Sequence, residues 1–347
     1  MIRSLPDASG TWRRTVDESG ESTLAHAPEW FPLIQRAYGH QPLYLTAHDG
    51  NGRCGVLPAF VVRRPFFGSV VTSMPFLDSG GPCAPSVPLA RVLVGQLLAE
   101  ARRIGARLVE LRCSTRVDVG TEPQEHKVNM MLPLPNDPDR LWRQLDKSVR
   151  NQVRKAERSG LTIESGRTEK LADFYESFVG RMRDLGSPVH GVEFLAAVLE
   201  QFGTRARVVL VKKGDVTVGG LVALAFKDRL IVPWATCSTE YLSLCPNMLL
   251  YWDTLRAACA EGFRRFDFGR SSRGSGTYRF KCQWGALEEP LYWYTIPMRP
   301  SIPMPPRAER RSEADGLGRA VLVRSWQHLP VCVTRRLGPC IRRYLTQ

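Results

Sequence analysis

The chain has 347 residues, 43% hydrophobic and 24% charged, a balance that suits a folded globular protein with room for two ordinary domains. Its 48 Lys+Arg against 34 Asp+Glu give a net charge of +14, so anionic partners are favoured: phosphorylated precursors, nucleic acid or an anionic membrane. No apolar leader and no run of 18 apolar residues occurs, so a cytoplasmic protein is expected, with the inner face of the cell membrane as a further location.

The nine cysteines, at 54, 83, 113, 237, 245, 259, 282, 332 and 340, are odd in number and form no C-x-x-C pair. Several lie in apolar segments, so reduced, buried thiols are expected, with no metal site and no disulfide framework. Cys282 stands apart because its neighbour Lys281 favours the thiolate.

In chain order, residues 1–40 are polar and mixed, with a short helix over Glu29–Ala37. Leu43–Ala47 and Gly55–Val62 read as strands around His48-Asp49-Gly50-Asn51-Gly52, a strong hairpin signal. Ser69–Met74 adds a strand. A helix follows Pro88, Gly105 stops it, and Arg107–Arg112 is the next strand. The second half repeats this order. Arg207–Lys212 and Val216–Ala225 flank Lys213-Gly214-Asp215, then come the strand Arg229–Thr236, the helix Pro246–Glu261, the stop Gly262 and the strand Arg264–Phe268. A unit repeated after about 160 residues argues for internal duplication.

Between the halves, Leu141–Gly160 reads as one amphipathic helix. Lys147, Arg150, Arg154 and Arg158 form a cationic stripe, joined by Arg140, Arg143 and Asn151, opposite Leu141, Trp142, Leu145, Val149, Val153 and Ala156. Guanidinium forks suit phosphate oxygens, while a merely solvated face is the plainer reading. Thr168–Leu185 and Glu193–Phe202 are further helices. Between them, Arg183-Asp184 and the turn Gly186-Ser187-Pro188 place His190 either as an acceptor ligand or as a structural histidine.

Gly269–Thr277, GRSSRGSGT, has no apolar side chain and follows an aromatic strand. It reads as a loop, either solvated or an anion cradle in which Arg270, Ser271 and Arg273 bind phosphate or sugar groups. Tyr278-Arg279-Phe280-Lys281 reads as the strand that closes it. Lys281 is the candidate partner for an oxyanion or leaving group, and Tyr278 a candidate to position or relay a proton. No P-loop, nucleophile elbow or dinucleotide fingerprint is present.

The run RFDFGRSSRGSGTYRFKCQWG, with its preceding helix, resembles the C-terminal end of FemAB/FemX-type transferases, where an aromatic-Lys pair, here Phe280-Lys281, precedes a glycine, here Gly285. The K-S-V-R-N-Q-V-R-K-A run resembles the helix that opens their second domain. MRDLGSPVH at Met182–His190 is similar to the branch associated with exosortase (XrtA, PEP-CTERM) exopolysaccharide systems. The resemblance covers roughly residues 40–300. It implies an α/β (mixed α+β) fold of two tandem GNAT-like domains, at 1–135 and 136–300, with a linker and tail at 301–347. It also implies acyl or aminoacyl transfer to a cell-envelope or exopolysaccharide precursor, with aminoacyl-tRNA as donor and no tightly bound cofactor.

An acyl-CoA donor is the rival. The strand-to-helix junctions Ser238–Pro246 and Ser79–Cys83 are poor pyrophosphate cradles, the first lacking glycine and the second followed by prolines. The sequence also lacks the long antiparallel helical arm that some FemA-type members use around tRNA. A non-catalytic nucleic-acid or membrane scaffold built on the basic helix is the third reading.

Beyond Ile302-Pro303-Met304-Pro305-Pro306, Leu322, Trp326, Leu329, Val333, Leu337, Cys340 and Tyr344 share one helical face, with Arg324, Arg335 and Arg342 opposite. Pro330 and Pro339 are expected to break the tail into short pieces. Over 319–345 it reads either as a contact with an anionic membrane or as a helix docked on the protein.

Overall fold

The structure is a computed structural model that describes residues 5–65, 68–298 and 313–346. The proline-rich linker at Ile302–Pro306 lies outside the described residues.

Helices α1 (Leu5–Glu18) and α2 (Trp30–Tyr38) precede the hairpin of β1 (Gln41–His48) and β2 (Cys54–Arg64). The carboxylate of Asp49 closes that turn, accepting from the backbone N–H of Asn51 and Arg53. β3 (Gly68–Thr72) leads to α3 (Val87–Ile104), which Ser86 caps and Gly105 ends in the left-handed region. β4 (Leu108–Cys113) and β5 (Lys127–Pro133) follow.

The next stretch holds α4 (Pro138–Gln144), α5 (Lys147–Arg158), β6 (Leu161–Gly166), α6 (Leu171–Asp184) and α7 (Val192–Phe202). It continues through β7 (Ala206–Lys213), β8 (Val216–Phe226), β9 (Arg229–Cys237) and α8 (Pro246–Ala260). β10 (Arg265–Ser272), α9 (Gly276–Cys282), β11 (Leu287–Pro290) and β12 (Tyr292–Pro297) come next, and α10 (Glu313–Gln327) and α11 (Val331–Arg342) complete the order.

Five strands form one sheet in the order β1-β2-β3-β4-β12, and seven form another in the order β11-β5-β10-β9-β8-β7-β6. The order β1-β2-β3-β4 in the first is thus matched by β7-β8-β9-β10 in the second, each holding a hairpin, a strand, a Pro-led helix and a strand. This is the duplicated unit legible in the sequence.

By contact clustering the chain divides into two compact units. One takes residues 5–132, 267–298 and 344–346; the other takes 133–266 and 313–343. In the first, α3 lies on β1, β2 and β4, and Leu43, Leu57, Val71, Leu93, Leu97, Val109 and Leu111 fill the space between. In the second, α6 packs on β8 and β9, with Phe174 against Gly220 of β8, while α8 packs on β7, β8 and α5.

Several expectations are corrected here. The helix over 141–160 is two helices: Leu145 is extended (φ −68°, ψ 144°) and Asp137 caps the first piece. β10 runs on to Ser272, so only Arg273–Ser275 of the expected loop remains irregular. Tyr278–Lys281 is helix, not strand, because the Ser275 hydroxyl accepts from the Tyr278 N–H and caps α9. Pro339 sits inside α11 rather than ending it. Cys83, Cys113, Cys237 and Cys259 are buried, whereas Cys282, Cys332 and Cys340 are exposed.

Candidate active site

A strand that alternates faces puts neighbouring side chains on opposite sides. In β10 the burial alternates through Phe266 and Phe268, then slips by one so that Ser271 is the next buried residue. The slip falls at Gly269, whose φ of +73° lies in the left-handed region that glycine enters without a Cβ clash. Asp267 and Arg270, three residues apart, both interact with Asp78 in consequence.

The Lys281 side chain is buried, only 7% exposed, and its Nζ donates to the carbonyl oxygens of Gly269 and Arg270, both at 2.9 Å. Burial lowers its pKa to about 8, against the opposing pull of the Asp78 and Asp267 carboxylates. An ammonium has three donors, and the carbonyls take two. Asp267 shifts the other way: desolvation raises its pKa to about 6, although the Gly269 N–H at 2.7 Å and the Asn129 side chain favour its charged form. A carboxyl and an amine thus have pKa values displaced toward neutrality, and each carboxylate here acts on the charge of Lys281.

Around them the geometry is fixed by an aromatic plate. Arg112 and Arg270 lie over the Trp293 ring, their guanidinium carbons 5.0 and 5.1 Å from its centroid. The Trp293 indole N–H donates to the Asp78 carbonyl at 3.0 Å, and Arg270 Nε meets the Asp78 carboxylate at 3.2 Å. Arg112, 2% exposed, donates to Leu77 O and to Glu110.

Further along, Tyr278 donates to Glu288 at 2.5 Å, and that bond pushes its pKa up to about 12. Arg273 donates to the same carboxylate at 2.8 Å and to Glu125 O. The Ser271 hydroxyl is buried and meets no hydrogen-bond partner among the described residues.

The structure thus gathers Lys281, Arg270, Ser271, Arg273 and Tyr278 on β10, α9 and the turn between them in the first unit. The remaining sequence candidates belong to the second. Lys147, Asn151 and Arg154 on α5 are exposed, Arg154 lying 5.6 Å over Trp142; Arg150 is half-buried, its Nε enclosed without a hydrogen-bond partner among the described residues. Arg183 is paired with its neighbour Asp184 at 2.7 Å. His190 is 2% exposed, stacks on Phe194 at 4.4 Å and accepts from Arg342 Nε at 3.0 Å. Burial and the Arg342 charge lower its pKa well below the usual histidine value, so it is neutral.

Asp78, Asp267, Arg112 and Trp293 were not singled out from the sequence. Asp267 carried one usable signal, a lone acid inside the aromatic strand RFDFG, since a carboxylate in a packed strand needs a reason to be there. Among the described residues no group of three or more His, Cys, Asp and Glu side chains is placed to hold a metal ion.

Residues 143–282 match the family profile of the acetyltransferase (GNAT) domain. No curated protein sequence matches the chain. Among solved structures, FemX superposes with a TM-score of 0.66 at 14% identity, over 85% of this chain and 97% of that one. A tandem GNAT protein from the clavulanic acid biosynthesis pathway gives 0.54 at 11% identity, over 86% and 97%. The C-terminal domain of a putative lysylphosphatidylglycerol synthetase from Agrobacterium fabrum gives 0.52 at 13% identity, over 83% and 92%. The fold is therefore the tandem GNAT-like fold seen in FemX.

Proposed function

We propose that the chain is an acyl- or aminoacyltransferase that modifies an amine or sugar hydroxyl on a phosphorylated or lipid-linked precursor of the cell envelope or of an exopolysaccharide. The reading is supported by the GNAT profile, by likeness to FemX and to the synthetase domain, and by the local resemblance to exosortase-associated proteins. The observation that carries it is buried Lys281, held by the Gly269 and Arg270 carbonyls at the β10–α9 corner with the Asp78 and Asp267 carboxylates acting on its charge.

Acyl transfer needs a neutral nucleophile and a stabilised tetrahedral oxyanion. With an amine acceptor, nitrogen attacks the donor carbonyl carbon and the new C–N bond forms while the carbonyl π pair moves onto oxygen. Asp267, ionised above about pH 6, takes the proton from nitrogen. Lys281, protonated below about pH 8, directs its remaining N–H at the oxyanion. As the oxyanion collapses, the donor C–O or C–S bond breaks, and the departing oxygen or sulfur takes a proton from Lys281. Proton transfer from Asp267 to Lys281 restores the site. Arg270, anchored by Asp78, and Arg273 bind anionic groups of the substrates, and the α5 stripe of Lys147, Arg150, Asn151 and Arg154 adds a phosphate-binding surface.

The donor is aminoacyl-tRNA or an acyl-CoA. The FemX likeness favours the first, and the GNAT profile favours the second. Residues 1–135 and 136–300 are taken as the two copies of the duplicated sequence unit, with 301–347 appended. The test is single-turnover transfer by folded Lys281→Ala with both substrates saturating. A wild-type rate would remove Lys281 from the chemistry.

A further inference from the structure

An amphipathic helix at a protein surface ordinarily turns its apolar stripe inward and its cations out. In α11 much of this is reversed. Thr334 and Gly338 are buried, and Gly338 comes so close to Val189 that a Cβ would stand 2.9–3.0 Å from its atoms. Arg335 pairs with Glu176 of α6, and Arg342 donates to His190, so two arginines are spent on the protein side. Cys332, Arg336, Leu337, Cys340 and Ile341 are exposed, spaced as one helical face. Leu337 is 46% and Ile341 39% exposed, and on α10 Val321 and Leu322 reach 56% and 73%. The two sequence alternatives for the tail are thus compatible: one face docks while the other presents leucine, isoleucine and arginine to the outside.

We propose that this outer face of α10 and α11 binds an anionic lipid surface. Helices α10 and α11 hold five arginines against Glu313 and Asp315, and with Arg335 and Arg342 turned inward, Arg324 and Arg336 stand exposed beside the aliphatic side chains. That asymmetry draws a negatively charged surface, and the exposed aliphatic side chains supply what a phosphate backbone cannot use but an acyl boundary can. A second copy of the chain fits poorly, since both copies carry +14. Nothing in this inference depends on the acyltransfer site.

The test uses the full chain with phosphatidylcholine vesicles, with and without phosphatidylglycerol. The chain sediments with the anionic vesicles, loses that binding at high salt, and stays in solution with the neutral ones. Leu337→Ser with Ile341→Ser weakens vesicle binding about tenfold. Arg324→Ala with Arg336→Ala weakens it about thirtyfold, from about fivefold per arginine. These side chains face outward, so melting temperature and acyltransfer in solution stay unchanged in both variants. The proposal is overturned if the chain ignores anionic vesicles, or if the serine pair sediments like the wild type. It is also overturned if the arginine pair lowers affinity for tRNA while vesicles are not bound, which identifies a nucleic-acid face.

Discussion

Two cationic regions of this chain look alike in composition and differ in physics. Helix α5 carries five Lys or Arg in twelve residues, and most of them are exposed to solvent and salt. The β10–α9 corner carries its cations more sparsely along the chain, and the central ones, with Arg112 of β4, are held: Lys281 by two carbonyls, Arg270 by Asp78 and Trp293, Arg112 by Leu77 O and Glu110. A charge at an exposed site interacts weakly because water screens it; a charge already removed from water acts strongly on whatever develops beside it. The denser charge run is therefore the weaker candidate for chemistry, and the sparser one is the stronger.

Four experiments sharpen or break that contrast. The largest effect is expected from Lys281→Ala, which should lower single-turnover rate by about 10²–10³ with substrate affinity little changed. Lys281→Arg should rescue little, since a planar fork does not fit between the two carbonyls. Activity loss that instead tracks a falling melting temperature would make Lys281 structural.

The second effect is a pH profile. Asp267 must lose its proton to accept one, so kcat/KM should rise as pH passes about 6. Lys281 must keep its proton, so the rate should fall as pH passes about 8. Asp267→Asn should abolish the acid limb and leave the alkaline one. An acid limb that survives the substitution assigns it to another group. Stability carries its own sign: Lys281 binds its proton more weakly folded than unfolded, so its cost is full below about pH 8 and relieved as pH rises toward 10.5.

Third, Gly269→Ala should cost about 1–2 kcal/mol of stability by forcing a Cβ into the left-handed region. It should also misplace Arg270 relative to Asp78, read as a raised KM for the anionic substrate. A stable variant with an unchanged KM would mean that the slip in β10 is incidental. The smallest effect belongs to α5. Arg150→Ala with Arg154→Ala should weaken an anionic ligand by about 0.2–1 kcal/mol per residue, vanishing at high salt. A loss above about 3 kcal/mol would show that α5 holds its ligand out of water, as the enclosed Arg150 Nε allows.

The local signals held where they were self-sufficient. Asp49 and the glycines around it specified the first hairpin, Pro88 and Gly105 marked the two ends of α3, and Pro246 and Gly262 did the same for α8. Each rests on backbone conformation and hydrogen bonds within a few residues, so no distant partner is needed. The repeat of that grammar, and with it the tandem fold, was legible for the same reason. Lys281 was picked out by its resemblance to a Phe-Lys pair, but its strand was a helix, since the alternation Tyr-Arg-Phe-Lys outweighed a capping serine three residues before Tyr278.

What surrounds Lys281 could not be read locally. Asp78, Arg112 and Trp293 come from segments far apart in sequence, and only the packed chain makes them neighbours of Arg270. The tail shows the same limit in reverse: periodicity found its apolar stripe, yet Glu176 and His190 decided that Arg335 and Arg342 turn inward and Leu337 outward. Sequence alone determined the first hairpin and the ends of α3 and α8, because capping and turn chemistry act over a few residues. Tertiary structure decided which charges leave water, because desolvation depends on everything packed around a group.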